Sequence, residues 1–71
     1  LPVFKFDKAA DITVDNAQTS FAVKVNGKKL GFRYFSHNED TVTLYLNWPL
    51  EKNDTVEITV IPTGQLISNR L

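Results

Sequence analysis

One polar loop of the chain carries the residue types of a catalytic triad. Ser36, His37 and Asp40 lie within five consecutive residues, and His37 is the only imidazole among the 71 residues. A triad needs groups that converge from separate rigid positions, whereas Ser, His, Asn and Asp are also the usual residues of loop tips. We therefore interpret this loop as a solvated turn and predict no catalytic residues, no cofactor and no enzymatic activity.

Oxygen ligands near the N-terminus raise the question of a metal site. Asp7, Asp11, Asp15 and Asn16 fall within ten residues of a segment without a regular apolar pattern. Calcium takes oxygen ligands from such loops, but the EF-hand spacing is absent and ligands four residues apart do not converge by themselves. We favour a role in initiating turns for these aspartates, with a calcium site as the weaker alternative. The absence of Cys excludes thiolate metal sites.

Three aromatic side chains are candidates for a ligand platform, because sugar rings stack on flat aromatic groups. They are Tyr34, Tyr45 and Trp48. Tyr45 is predicted on the solvent face of its strand, where Thr59 or Lys24 would be its cross-strand partner. Trp48 precedes Pro49, and we expect its large side chain to close the core of a small domain that has no disulfide. Carbohydrate binding is therefore an alternative function.

Basic residues cluster around the dipeptide Asn26-Gly27 and could contact nucleic acid. Together with Tyr34 or Phe35 they would form a stacking surface for a single strand, as on a small OB-like barrel. However, eight basic residues balance eight acidic ones, whereas nucleic-acid-binding domains usually show a basic excess. Lysines on an edge hairpin also discourage edge-to-edge pairing, and this role is the favoured one. The basic residues are Lys24, Lys28, Lys29 and Arg33.

The elements that must position all of these residues are β-strands. Apolar and polar residues alternate over residues 21–25, 41–46 and 55–60, as in strands with one buried and one solvated face. Shorter strands are expected at residues 3–6 and 65–71. The predicted core is Phe21, Val23, Val25, Val42, Leu44, Leu46, Val56, Ile58 and Val60, with Ile12 and Val14 tucked against it.

Turn signals separate these strands. Asn26-Gly27 is typical of a two-residue type I′ hairpin, and the polar residues 36–40 suit a second hairpin loop. Pro49 cannot donate a hydrogen bond to a sheet, so residues 48–52 are predicted to cross between two sheets, with Leu50 against the end of the core. The sequence therefore predicts one all-β domain over residues 1–71, a small antiparallel sandwich or barrel of about six strands.

The order of these blocks resembles the bacterial immunoglobulin-like modules of cell-surface and secreted proteins. Residues 4–11 resemble their opening strand and loop, and residues 21–27 resemble their block F-x-V-x-V-N-G. Residues 41–46 are similar to their strand T-V-T-L-x-L. Residues 49–60 are similar to the block P-L-x-x-G-D-T-V-x-I-x-V, with Asn53 in place of the family's Gly.

The resemblance implies a small antiparallel immunoglobulin-like β-sandwich of about six or seven strands. It also implies a non-catalytic structural or binding module of an S-layer-type or adhesin-type protein, at the bacterial cell surface or secreted. Its role would be that of a spacer or a protein-interaction domain, with a phage protein as another setting. Adjacent domains of the same longer chain, or a protein or glycan ligand, would be its partners. Because this chain is shorter than a typical module, an edge strand is expected to be missing or supplied from outside. No apolar run approaches the roughly 20 residues of a membrane span, so no membrane insertion is expected.

Overall fold

All regular secondary structure in the described part of the chain is β. The computed structural model describes residues 2–9 and 12–71, which contain no helix and hence none able to cross a membrane. The prediction of an all-β chain is confirmed. Its strands are β1 (Val3–Asp7), β2 (Ser20–Val25), β3 (Lys28–Leu30), β4 (Phe32–His37), β5 (Thr41–Leu46), β6 (Thr55–Ile61) and β7 (Leu66–Arg70).

The strands form two sheets, and every neighbouring pair is antiparallel. One sheet has the order β1-β5-β4 and the other has the order β3-β2-β6-β7. The predicted small antiparallel sandwich of six or seven strands is thus confirmed, and it shares the four-plus-three division of constant-type immunoglobulin domains. In those domains the second strand lies beside the first and the fifth, whereas here β2 lies between β3 and β6.

Apolar side chains from both sheets meet in one core. In β5, for example, Val42, Leu44 and Leu46 are fully buried, while the alternate residues face outward and are only half-buried. This alternation confirms the predicted core, except that Val25 is half-buried. The predicted contacts of Val14 and Leu50 with the core are also confirmed. The buried apolar residues are Phe4, Phe6, Ile12, Phe21, Val23, Val42, Leu44, Leu46, Val56, Ile58 and Val60.

Phe21 joins the two sheets through aromatic contacts. Its ring packs edge-on against Phe35 at a centroid distance of 5.0 Å, against Phe6 at 6.0 Å and against Phe32 at 6.1 Å. Edge-to-face geometry is one of the two arrangements that aromatic pairs favour. The sequence analysis missed Phe32 and Phe35 as core residues, because the β4–β5 register shifts between Phe32 and Tyr34 and the alternation breaks there. Phe35 is therefore not part of a solvent-facing stacking surface.

Left-handed backbone conformations shape the turns. Asn26 has φ 52° and Gly27 has φ 82°, which confirms the type I′ hairpin between β2 and β3. Asn53, where the resembled family usually has Gly, has φ 73°.

Gly31 alone separates β3 from β4, which lie in different sheets, and a Cβ atom there would come within 2.8 Å of Asn47 Nδ2. The sequence analysis did not predict this corner.

The crossover from β5 to β6 is fastened by Asp54. Its carboxylate accepts hydrogen bonds from the backbone N–H of Glu51 at 2.8 Å and from the side-chain amide of Asn26 at 2.9 Å. The Asn26 side-chain oxygen in turn accepts the N–H of Thr55 at 3.0 Å. The Glu51 hydrogen bond, followed by that of Asn26, lowers the pKa of Asp54 below its ordinary value of 3.8, against a smaller opposing effect of desolvation. The predicted crossover between sheets is confirmed.

Candidate ligand-binding face

The outer surface of the three-stranded sheet carries a row of apolar and aromatic side chains at one end. Tyr45 in β5 lies opposite Val3 in β1 and opposite Tyr34 in β4. Since Leu44 and Leu46 point into the core, Tyr45 points to the other side. We call Val3, Tyr34 and Tyr45, together with Trp48 just beyond the end of β5, the aromatic face.

Tyr34 and Tyr45 form a stacked pair. Their ring centroids are 4.3 Å apart and their planes differ by 16°. Each ring therefore covers one face of the other. Because β4 is an edge strand, the free face of Tyr34 lies toward the open side of the sheet, and this side chain is 51% exposed. The pair thus presents ring edges, hydroxyl groups and one outer ring face to solvent.

Trp48 follows two residues after the end of β5 and is 63% exposed. The prediction that it closes the core is therefore wrong. The physical reason is that all five phenylalanines of the chain lie in or against the core and fill the interior without it. Three residues of chain span at most about 10 Å, so Trp48 stays at the same end of the sheet as Tyr45.

The predicted cross-strand partners of Tyr45 are wrong. Thr59 and Lys24 belong to the four-stranded sheet, whereas Tyr45 lies in the three-stranded one. Alternation within a strand identifies its solvent face but does not identify the sheet that the strand joins.

The four basic residues around the first hairpin do not share one surface. Lys24 and Lys29 are direct cross-strand neighbours, and Lys24 also lies opposite Glu57 in β6. Lys28 lies opposite Val25. It directly precedes Lys29 in β3, so the two lysine side chains point to opposite faces of the sheet. Arg33 lies in the other sheet, where it is the extra residue of the β4 bulge next to Tyr34. Only two of these four cations are therefore placed side by side, with a carboxylate next to them.

His37 in β4 forms side-chain hydrogen bonds with Lys8, just after β1, and with Asn16, before β2. Its Nδ1 lies 3.1 Å from Lys8 Nζ, and its Nε2 lies 3.1 Å from Asn16 Oδ1. An ammonium group only donates and an amide oxygen only accepts, so this arrangement fits a neutral imidazole with its proton on Nε2. Both ring nitrogens are thereby engaged by residues other than Ser36 and Asp40. Asp40 instead accepts the N–H of Lys8 through its backbone oxygen at 2.7 Å.

The N-terminal aspartates occupy separate places in the described part of the chain. Asp7 ends β1 opposite Thr41. The Asp15 carboxylate accepts the N–H of Ala17 at 2.8 Å, which is the hydrogen bond of a turn-initiating residue. Asp11 lies outside the described residues. Residues 2–9 and 12–71 contain no group of three His, Asp or Glu side chains able to hold a metal ion.

An open groove of about 530 Å³ lies at the corner between β3 and β4. It is mostly apolar, and Lys29 is its one charged lining residue. It contains no pair of groups with the chemistry of a nucleophile and a base. Its lining residues are Phe21, Ala22, Val23, Lys29, Leu30, Gly31, Phe32 and Ile61.

The chain matches no family model, and no curated protein or solved structure is significantly similar to it. The fold defines the class of the molecule, a small antiparallel β-sandwich. Because one fold hosts many functions, the function has to be argued from the aromatic face itself.

Proposed function

We propose that the chain is a non-enzymatic structural and binding module of a bacterial cell-surface or secreted multidomain protein. In this proposal the aromatic face contacts a protein partner or a neighbouring domain of the same chain. The observation that carries the proposal is that Tyr34 and Trp48 are 51% and 63% exposed although the core is filled without them. Clustered exposed apolar groups of this kind are typical of interaction sites.

The residue types of the aromatic face favour a protein partner. Tyr, Trp and Arg are the side chains that most often anchor protein interfaces. Arg33 stands beside Tyr34 in the β4 bulge, and Val3 is 45% exposed in the same row. Tyr45 and Val3 lie on regular strands, so their positions are fixed before a partner arrives.

The setting rests on the resemblance to bacterial immunoglobulin-like modules. The sandwich fold is compatible with such a module, and a rigid two-sheet domain is suited to mechanical spacing between neighbours. The hydrogen bonds of His37 to Lys8 and Asn16 support the non-enzymatic part of the proposal, because they occupy the one imidazole of the chain.

Site-specific photo-crosslinking in the parent protein tests this function. Benzoylphenylalanine is placed at Trp48, and at Thr63 as an exposed control in the β6–β7 turn. We expect one adduct of defined mass from position 48 but not from position 63, and we expect Tyr45→Ala to abolish it. If position 48 gives no adduct in a folded protein, the aromatic face is not an interaction site.

A glycan ligand is the second candidate, favoured by the exposed indole of Trp48. The mutual stacking of Tyr34 and Tyr45 counts against it, because each ring hides a face that a sugar would need. Trp48 is the only Trp of the chain, so its fluorescence reports on this site alone. A saturable shift on titration with soluble cell-wall polysaccharides, weakened by Tyr34→Ala, would replace the protein partner with a glycan. An unchanged spectrum would remove this candidate.

A further inference from the structure

β7 is an edge strand, and within residues 2–9 and 12–71 no other strand pairs with its outer side. The N–H of Val60 bonds to the carbonyl oxygen of Gln65 at 2.8 Å, and the N–H of Leu71 bonds to that of Asp54 at 2.9 Å. Successive residues of an antiparallel ladder point their backbone groups to opposite sides. Since residues 65 and 71 face β6, residues 66, 68 and 70 of β7 direct their N–H and C=O groups away from the sheet.

The other edge strands of the described chain carry features that discourage pairing. β3 has three residues, two of which are lysines. β4 contains a bulge. β1 presents Lys5 and Asp7 on its outer surface. β7, by contrast, has five residues in unbroken register with β6 and contains neither Pro nor Lys. Long regular edges without such protection are templates for another strand.

We propose that β7 pairs with β7 of a second copy of this chain, in antiparallel orientation about a two-fold axis. The two four-stranded sheets then become one continuous sheet of eight strands. Pairing centred on Ser68 places Ser68 opposite the partner's Ser68 and Leu66 opposite the partner's Arg70. All three outward residues of each copy then lie in hydrogen-bonded positions.

The side chains of β7 suit this arrangement. Arg70 is the one charged residue of the strand. Antiparallel pairing separates the two Arg70 side chains by about 14 Å along the seam, so they do not repel each other closely. Leu66, which is 62% exposed, then lies against the aliphatic stem of the partner's Arg70. A two-fold contact uses the β7 edge of both copies, so no β7 edge is left for a third copy and assembly stops at the dimer.

Sedimentation equilibrium of the 71-residue chain, from about 10 µM to about 1 mM, tests the dimer. We expect the mass to rise with concentration from 8.0 kDa toward twice that value. Ser68→Lys places like charges across the seam and should weaken dimerisation at least tenfold. Ser36→Lys, the same exposed substitution on the edge strand β4, is the matched control and should leave the dissociation constant unchanged.

Amide hydrogen exchange of the unmodified chain gives a second measurement that does not depend on a variant. In the monomer the amides of Ile67 and Asn69 face β6 and are protected, whereas that of Ser68 is free. We expect protection of the Ser68 amide to appear as concentration rises. A monomer at about 1 mM, an unprotected Ser68 amide in the dimer, or equal weakening by Ser36→Lys would each overturn the proposal.

Discussion

Asp54 makes the stability of the molecule depend on pH in the acid range. Its hydrogen bonds to the Glu51 N–H and the Asn26 amide lower its pKa below 3.8 in the folded protein. The stabilisation is complete above the ordinary value of 3.8 and is lost as the pH falls through the lowered pKa. We expect the unfolding free energy to drop over this range, and to drop less in Asp54→Asn. Urea denaturation as a function of pH measures both.

Asp40→Asn is the control for this experiment, because the Asp40 carboxylate accepts no hydrogen bond from the described residues. The unfolding free energy of Asp40→Asn should fall with decreasing pH as steeply as that of the unmodified protein. If Asp40→Asn and Asp54→Asn flatten the pH dependence equally, the hydrogen bonds of Asp54 are not its cause.

Trp48 should contribute little to the stability of the fold. Because its side chain is 63% exposed, Trp48→Ala should change the unfolding free energy by less than about 0.5 kcal/mol. Leu46, two residues earlier, is fully buried, so Leu46→Ala should cost about 2–5 kcal/mol. Thermal and urea unfolding compare the two variants. An equal loss of unfolding free energy in both variants would show that the Trp48 side chain is buried in the core.

Single residues show how far alternation predicts burial. It identified the core residues of β5 and β6 correctly, because each strand has one apolar row. It failed for Trp48, because burial of a large side chain depends on how much interior volume other residues have already filled. The five phenylalanines fill it here, and only three-dimensional packing reveals that.

Among the turns, Asn53 provides a sharp test of backbone conformation. Its φ of 73° is favourable for Gly, tolerable for Asn and strained for a residue with an ordinary Cβ. Asn53→Ala should therefore destabilise the fold by about 1 kcal/mol, whereas Asn53→Gly should stay within about 0.5 kcal/mol of the unmodified protein. Chemical denaturation measures both. An Ala variant as stable as the Gly variant would contradict the left-handed turn.

Five of the strands, β1, β2, β5, β6 and β7, were predictable, but the division of residues 28–37 into β3 and β4 was not. The stretch from Lys28 to His37 has no turn dipeptide comparable to Asn26-Gly27, and Gly31 is its only small residue apart from Ser36. The change of sheet at Gly31 and the bulge before Tyr34 shift the phase of the following side chains. A period-2 pattern of apolar residues predicts neither the change of sheet nor the bulge.

At the scale of the whole molecule, the pairing of distant strands should make folding slow. β1 pairs with β5 and β2 pairs with β6, so both sheets need long loops to close before they gain contacts. We expect refolding in roughly milliseconds to seconds, as for other small β-sandwiches. Stopped-flow circular dichroism in the far ultraviolet measures it. Complete refolding within microseconds would contradict the strand order.

The all-β class and the number of layers followed from the sequence, whereas the strand order did not. Alternation tells which side of a strand is apolar, and Pro49 indicated where the chain leaves a sheet. Neither says which strands become neighbours. For that reason the sequence indicates Tyr34 and Tyr45 as candidates for one ligand platform but not that they stack, which follows only from the register of β4 against β5.

The corner at Gly31 makes the two layers covalently continuous along one side of the sandwich. On the opposite side, the outermost strands β1 and β7 belong to different layers. Transient separation of the layers should therefore pivot about the side of Gly31 and admit solvent first between β1 and β7. A tether attached at either of those strands would load the molecule where its layers part most easily.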